Sequence, residues 1–214
     1  MIFTIPKDVI LAQLLMQLKN HFFISKEEES VIESCYDRSL HSCEDNFSHS
    51  NNKYFIHDNG DCIFNPYHSI QYMIFLYYLS HDIFKNTYSR LLCDKIYYLN
   101  KIFHSVDLFY AIDLPEYFGA EHPVGTVMGR AKYSNGFFFY QGCTVGGTRD
   151  KDGTLFYPTI GENCHMFCNS SILGNCHIGN NVNIGAGCIV KNQDIPNNST
   201  VFGESPNLII KSKL

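Results

Sequence analysis

Four cysteines in the second half of the chain have the short spacings at which thiolates can bind a metal ion: Cys164, Cys168, Cys176 and Cys188. The chain contains nine cysteines in all, an odd number that cannot be fully paired in disulfides. Metal binding is therefore the first chemistry to consider. The residues around these cysteines provide a different explanation.

An apolar residue returns every six positions through this region. The series is Ile160, Met166, Ile172, Ile178, Ile184 and Val190, and we expect it to continue through Pro196 and Phe202. The same period runs earlier, through Val127, Tyr133, Phe139 and Val145. Four positions after most of these residues comes a smaller side chain, and several of those are the cysteines. The cysteines are thus predicted to be interior or corner residues of a repeat, with no metal site.

A hexapeptide period indicates a solenoid in which each hexad is a short strand followed by a corner. Three hexads close one triangular turn, and stacked turns pair their backbones as parallel strands do. The hexads predict about four turns. Fifteen residues separate Val145 from Ile160, so one hexad carries an insertion of nine, roughly Lys151 to Thr159. We expect this insertion to be a mobile lid or a rim loop.

The first half of the chain has helical periodicity instead. Helices are predicted over residues 7–20, 26–38, 67–84 and 87–104, with Ser25 as the N-cap of the second. The stretch from His41 to Cys62 is rich in Asn, Ser, His and Asp and is predicted to be a long loop. This half is expected to be a cap or an oligomerisation surface without chemistry of its own.

Composition limits the classes of function. The net charge of −5 lacks the basic excess that nucleic-acid binding requires. No apolar run reaches the length of about 18 residues that a membrane span needs. Lys7 and Asp8 interrupt the start of the chain before a signal-peptide core can form. The expectation is a cytoplasmic protein with reduced thiols.

The hexads, of the form Ile-Gly-x-x-Val-x, resemble the left-handed parallel β-helix of hexapeptide acyltransferases. Over roughly residues 64–210 the chain is similar to serine O-acetyltransferases. The similarity rests on the stretches Phe64–Phe84, His122–Gly125, Cys143–Thr148, Ile172–Asn175, Ile184–Gly187 and Phe202–Pro206. The resemblance implies an α+β protein, with a helical N-terminal domain over residues 1–108 and a left-handed β-helix acyltransferase domain over residues 109–214.

The resemblance also implies a mechanism. His122 matches the histidine that acts as general base, taking the proton of the acceptor hydroxyl. The candidates for the carboxylate that orients it are Asp113, Glu116 and Glu121, of which Asp113 is favoured. Glu121 adjoins His122, so in an extended segment its side chain would point the opposite way. The segment from Asp113 to His122 is about six residues shorter than the family leads us to expect.

The co-substrate implied by the resemblance is acetyl-CoA. Gly146, Gly147 and Thr148 match the loop whose amides line the thioester, and Cys168 and Ala186 fall on the expected pantetheine groove. Phe167 places a bulky ring where that groove would run. In the family the site lies between subunits of a trimer, so a homotrimer or a dimer of trimers is implied.

This chain differs from the serine acetyltransferases at the residues expected to contact the acceptor. Serine acetyltransferases carry an Arg-His pair just before a proline after the inserted loop, where this chain has Phe156, Tyr157 and Pro158. Loss of that guanidinium removes a partner for the serine carboxylate. A sugar hydroxyl of a surface polysaccharide is therefore the favoured acceptor, with Phe156 and Tyr157 contacting it. The alternatives are serine O-acetylation, N-acetylation of an amino sugar, and a solenoid that serves only assembly.

Overall fold

The structure is a computed structural model that describes residues 1–50, 52–87 and 89–213. The chain divides into two compact units, Met1–His104 and Ser105–Leu214. We refer to them as the helical unit and the β-helix unit. None of the described helices is both long enough and apolar enough to cross a membrane.

The described residues of the helical unit form four helices and a small parallel sheet. The helices are α1 (Lys7–His21), α2 (Lys26–Ser48), α3 (Ser69–Thr87) and α4 (Arg90–His104), and the sheet pairs β1 (Ile2–Phe3) with β2 (Ile63–Phe64). The predicted cap at Ser25 is confirmed. Its hydroxyl accepts from Glu28 N–H at 3.3 Å, and its own N–H donates to the Glu28 carboxylate at 3.0 Å.

Helix α2 is longer than the sequence predicts, and the expected loop from His41 is wrong as far as Ser48. The polar composition conceals an apolar stripe: Leu40, Cys43 and Phe47 follow one another at helical spacing, and all are buried. Asn46 is buried as well, and its amide donates to the Tyr78 hydroxyl at 3.0 Å. Packing of this face outweighs the low helix propensity of the exposed residues.

The β-helix unit is built from short parallel strands on three faces. The first face orders β15 (Ile189–Lys191), β12 (Ser171–Leu173), β7 (Thr144–Gly146), β5 (Val127–Met128) and β3 (Asp107–Leu108). The second orders β17 (Ile209–Ser212), β16 (Ser199–Phe202), β14 (Asn183–Ile184), β11 (His165–Met166), β6 (Phe137–Phe139) and β4 (Phe118–Ala120), with β17 antiparallel. The third pairs β10 (Thr159–Ile160) with β13 (His177–Ile178).

Strand register reports the length of each turn. Ser171 pairs with Ile189, eighteen positions later, as three hexads require. Thr144 pairs with Ser171, twenty-seven positions later, which confirms an insertion of nine residues. The insertion is a hairpin of β8 (Thr148–Arg149) and β9 (Leu155–Phe156), so it leaves the solenoid slightly earlier than predicted.

Two turns are one residue short, and there the predicted interior positions are wrong. Asn183 pairs with Thr200, seventeen positions later, so Ile195 and Val201 are buried while Phe202 is 41% exposed. Pro196, like Phe202, is therefore not an interior residue. At the other end Val127 pairs with Thr144, again seventeen positions, and Met128 rather than Val127 faces the core. Because strand side chains alternate between faces, a shift of one residue exchanges inside and outside.

The cysteines occupy the places that the repeat predicts. Cys164, Cys176 and Cys188 are buried free thiols, and Cys168 is half-buried. Among the described residues, no three side chains of the metal-binding types lie close enough together to hold an ion.

Candidate active site

His122 lies in a tight turn on one edge of the β-helix. Its φ of 49° is in the left-handed region, and its carbonyl accepts from Val124 N–H at 2.7 Å. The turn is tied to the coils on both sides: Gly125 N–H donates to Ser105 O at 2.9 Å, and Gly142 N–H donates to Val124 O at 2.9 Å. The imidazole is 79% exposed. A fixed backbone thus presents an accessible base.

Glu121 lies beside His122, contrary to the expectation from an extended segment. The left-handed turn breaks the alternation, and Glu121 Oε1 approaches His122 Nε2 to 3.9 Å. Partial burial and the neighbouring Glu121 carboxylate, which accepts a hydrogen bond from the Tyr140 hydroxyl, raise the pKa of Tyr140. Asp113 and Glu116 are exposed residues of the segment between β3 and β4.

Asp107 is a further carboxylate on the coil next to this turn, and it was not predicted from the sequence. Asp107 is the first residue of β3, and it points outward because Val106 and Leu108 on either side are buried. Its N–H donates to the carbonyl of Thr126 at 2.8 Å, next to the tie between Gly125 and Ser105. The sequence contained a signal for Asp107. The segment from Asp113 to His122 is about six residues shorter than expected for the family, and Asp107 lies six residues before Asp113.

Gly146, Gly147 and Thr148 form a second edge, where the hairpin leaves the solenoid. A Cβ on Gly147 would lie 2.8 Å from Phe156 O and 2.8 Å from a ring carbon of Tyr157. Glycine is therefore required for the two ends of the hairpin to meet. The structure brings Gly147, Phe156 and Tyr157 together, and the Tyr157 side chain is 37% exposed.

Asn192 supports the base of this hairpin from two coils away. Its Oδ1 accepts from the Thr148 hydroxyl at 3.2 Å and from Asn175 N–H at 2.8 Å. Gly174 lies between them, where a Cβ would meet Thr148 Oγ1 at 2.1 Å and Asn192 Oδ1 at 2.2 Å. Asn192 itself has a φ of 49°, which asparagine tolerates better than most residues. Its amide therefore links three successive coils at the point where the insertion begins.

We expect Asn192→Gly to loosen the hairpin, since glycine keeps the left-handed backbone and removes only the amide. The lost hydrogen bonds contribute about 1 kcal/mol, so the fraction of molecules whose hairpin is detached from the solenoid should rise roughly fivefold. Trypsin cleavage after Arg149 and Lys151, both in the hairpin, should accelerate by that factor. The matched control is Asn198→Gly, which has a φ of 53° and bonds Asn181 at 2.8 Å on another edge. Equal cleavage rates in the two variants would contradict this role of Asn192.

Cys168 and Ala186 lie on the edge of His122, not on that of Gly147. Gly187 N–H donates to Cys168 O at 2.9 Å, and Asn169 N–H donates to Gln141 O at 2.8 Å, so this edge continues down from the His122 turn. Phe167 stacks on Tyr140, with ring centroids 5.4 Å apart. The predicted cofactor residues thus fall on two edges of the prism, on either side of the β3–β5–β7–β12–β15 face.

Comparison with known proteins identifies a matching family model and several relatives. The family model for bacterial transferase hexapeptide (six repeats) matches residues 157–192. Serine acetyltransferase from Staphylococcus epidermidis is 32% identical over 136 residues, which cover 63% of this chain and 62% of that protein. The Synechococcus elongatus enzyme of the same name is 32% identical over 116 residues, covering 54% and 47%. The chain thus carries a hexapeptide-repeat segment and is similar in sequence to serine acetyltransferases over about half to two thirds of its length. It spans less than two thirds of the length of these curated relatives.

Solved structures agree on the fold. Serine acetyltransferase from Neisseria gonorrhoeae superposes with a TM-score of 0.67 at 24% identity, covering 86% of this chain and 70% of that one. A serine acetyltransferase solved in complex with CoA superposes with a TM-score of 0.65 at 17% identity, covering 91% and 80%. The expected α+β class, with a helical N-terminal part followed by a left-handed hexapeptide β-helix, is confirmed.

Proposed function

We propose that this protein is an acetyl-CoA-dependent O-acetyltransferase that acts on the hydroxyl of L-serine, with His122 as general base. The observation that carries the proposal is the exposed imidazole of His122 on a rigid turn, with the Glu121 carboxylate 3.9 Å from its Nε2. Relatives named serine acetyltransferase, at 32% identity, favour serine over the sugar acceptor that the sequence first suggested.

The proposed reaction is a direct acyl transfer. His122 takes the hydroxyl proton of serine as its oxygen attacks the thioester carbonyl of acetyl-CoA. The tetrahedral intermediate collapses, the carbon–sulfur bond breaks, and the proton passes to the leaving sulfur. Glu121, 3.9 Å from Nε2, and Asp107, on the adjacent coil, are the groups that would orient and stabilise the imidazolium. Backbone amides of the Gly146–Thr148 corner would hold the developing oxyanion.

The position of the two edges favours a site shared between copies of the chain. His122, Cys168 and Ala186 lie on one edge, and Gly146, Gly147 and Thr148 lie on another. A neighbouring β-helix packed against the intervening face could bring one copy's His122 edge to the other's Gly147 edge. We therefore propose a homotrimer, with acetyl-CoA bound between subunits.

Analytical ultracentrifugation is expected to show three chains or a multiple of three, near 74 kDa on the basis of about 24.5 kDa per chain. Because the site would be built from two copies, kcat per chain should fall when the protein is diluted below the dissociation range. A stable and fully active monomer would contradict the shared site.

A sugar hydroxyl stays as the second candidate acceptor, on one observation. Phe156 and Tyr157 stand where the family has Arg-His, and both rings are at least partly accessible. Aromatic rings at the mouth of a site can stack on a pyranose.

The test is a thiol-release assay with acetyl-CoA against L-serine, amino sugars, nucleotide sugars and oligosaccharides. Release with L-serine, accompanied by O-acetylserine in the mass spectrum, is the expected result. Release only with a saccharide would replace serine by the second candidate. No release with any hydroxyl, from protein that binds acetyl-CoA, would count against the proposed chemistry.

A further inference from the structure

Arg130 crosses the same edge of the β-helix as Gly147, one coil above it. Gly129 N–H donates to Val145 O at 2.7 Å, and Lys132 N–H donates to Pro158 O at 2.9 Å. The segment from Gly129 to Lys132 therefore runs directly along the two points at which the hairpin leaves and rejoins the solenoid. Arg130 is at the centre of that segment.

The two coils touch through their backbones at this edge. A Cβ on Gly129 would lie 2.4 Å from Val145 O and 3.3 Å from the Cα of Gly146. The Arg130 side chain is exposed, and within the described part of the chain it has no ion pair or side-chain hydrogen bond. Arg149, by contrast, already donates to Gly153 O at 2.7 Å inside the hairpin. The Arg130 guanidinium thus has its donors available at the edge that carries Gly147 and Tyr157.

The charge around this edge favours an anion. No Asp or Glu occurs between Glu121 and Asp150, whereas the same segment contains Arg130, Lys132 and Arg149. The chain as a whole is acidic, with a net charge of −5, so a stretch with only cations is a local reversal of sign. The ring of Tyr157 packs on Gly147, so its phenol adds a hydrogen-bond donor to this edge of the β-helix.

We propose that Arg130 binds the carboxylate of the acceptor and so selects an amino acid over a neutral alcohol. The proposal rests on the acetyl transfer proposed above and specifies its substrate class. A guanidinium offers two parallel N–H donors that match the two oxygens of a carboxylate. Arg130 would supply, from the adjacent coil, the positive charge that Phe156 and Tyr157 do not provide. The phosphates of CoA are the other source of anionic oxygens at this site.

The test compares L-serine with L-serinamide, which has the same hydroxyl and amine but no carboxylate. Arg130→Gln is expected to raise the KM for L-serine about tenfold to a hundredfold, the range for a charge-assisted hydrogen bond of about 1.5–3 kcal/mol. The ratio of kcat/KM for L-serine to that for L-serinamide should fall by the same factor. Arg130→Lys should recover part of the ratio, because it restores the charge without the planar pair of donors. The matched control is Arg149→Gln, whose ratio should equal that of the wild type.

The outcomes separate this inference from the proposed function. If Arg130→Gln raises the KM for acetyl-CoA instead, the site serves the phosphates of CoA and the acceptor assignment is overturned. An unchanged serine-to-serinamide ratio, with transfer intact, overturns it also and leaves the proposed function standing. If no acceptor is acetylated, calorimetric titration of wild type and Arg130→Gln with L-serine and L-serinamide decides. If Arg130→Gln binds L-serine more weakly than the wild type does but binds L-serinamide equally well, the carboxylate site is supported. If both proteins bind L-serine equally, the carboxylate site is refuted.

Discussion

Replacing His122 with alanine is expected to lower kcat about a hundredfold or more while acetyl-CoA still binds, because a positioned general base contributes about 10²–10⁴ in rate. The turn that carries His122 is held by backbone hydrogen bonds to Ser105 and Gly142, which the substitution leaves in place. The loss should therefore appear in kcat and not in the dissociation constant for acetyl-CoA. Steady-state kinetics with L-serine and calorimetric titration of CoA measure the two quantities.

His177→Ala is the matched control, since His177 is an exposed histidine on the third face of the same solenoid. It should retain wild-type turnover. Glu121→Gln and Asp107→Asn are expected to lower kcat less than His122→Ala does, because they remove only the group that orients the base. Wild-type turnover by His122→Ala would eliminate the general-base role.

Acidification from pH 7.5 to pH 5 is expected to cost the helical unit about 2 kcal/mol of stability through His104 alone. Burial lowers the pKa of His104 to about 4, and a hydrogen bond with the Asn100 backbone opposes the shift only in part. Asn100 Oδ1 also lies 2.7 Å from His104 Nδ1. Asn100 is itself fixed, because its amide donates to Met73 O at 3.0 Å. The imidazole is therefore held neutral in the folded state.

The sign follows from proton counting. The unfolded chain, with a histidine pKa near about 6.5, binds the proton first as pH falls, so stability is lost between about pH 6.5 and pH 4. Urea unfolding followed at 222 nm reports on this unit, since the helices of the described chain all lie within it. His104→Gln should reduce the pH dependence in this window, and His68, whose pKa burial also lowers, should account for part of the remainder. His21→Gln, at an exposed site on α1, should keep it. Identical pH profiles for wild type and His104→Gln would contradict the assignment.

The helical unit shows where local signals suffice. The start of α2 followed from the capping chemistry of Ser25, because a cap depends on residues three positions apart. The end of α2 did not follow, because the stripe formed by Leu40, Cys43 and Phe47 gains its stability from burial. Composition alone could not report that burial.

In the solenoid, as in the helical unit, local sequence patterns predicted some features, whereas others depended on packing. The period of six predicted the fold, the interior cysteines and the length of the insertion, because each hexad repeats one local conformation. The two shortened turns, which bury Met128 and Ile195, were not predicted. Either residue choice is apolar enough, and only the pairing of one coil with the next selects the register.

The sequence by itself predicted the class of fold, and its family resemblance predicted the candidate residues, His122 and the Gly146–Thr148 corner among them. Tertiary structure alone decided which of these residues are neighbours. It placed Glu121 beside His122 through a left-handed turn, and it set Gly129, which precedes Arg130, against Gly146 across a coil boundary. It also put the two halves of the candidate site on different edges of the prism. The physical reason is that stacking joins residues about eighteen positions apart through backbone hydrogen bonds, which leave no local mark on the sequence.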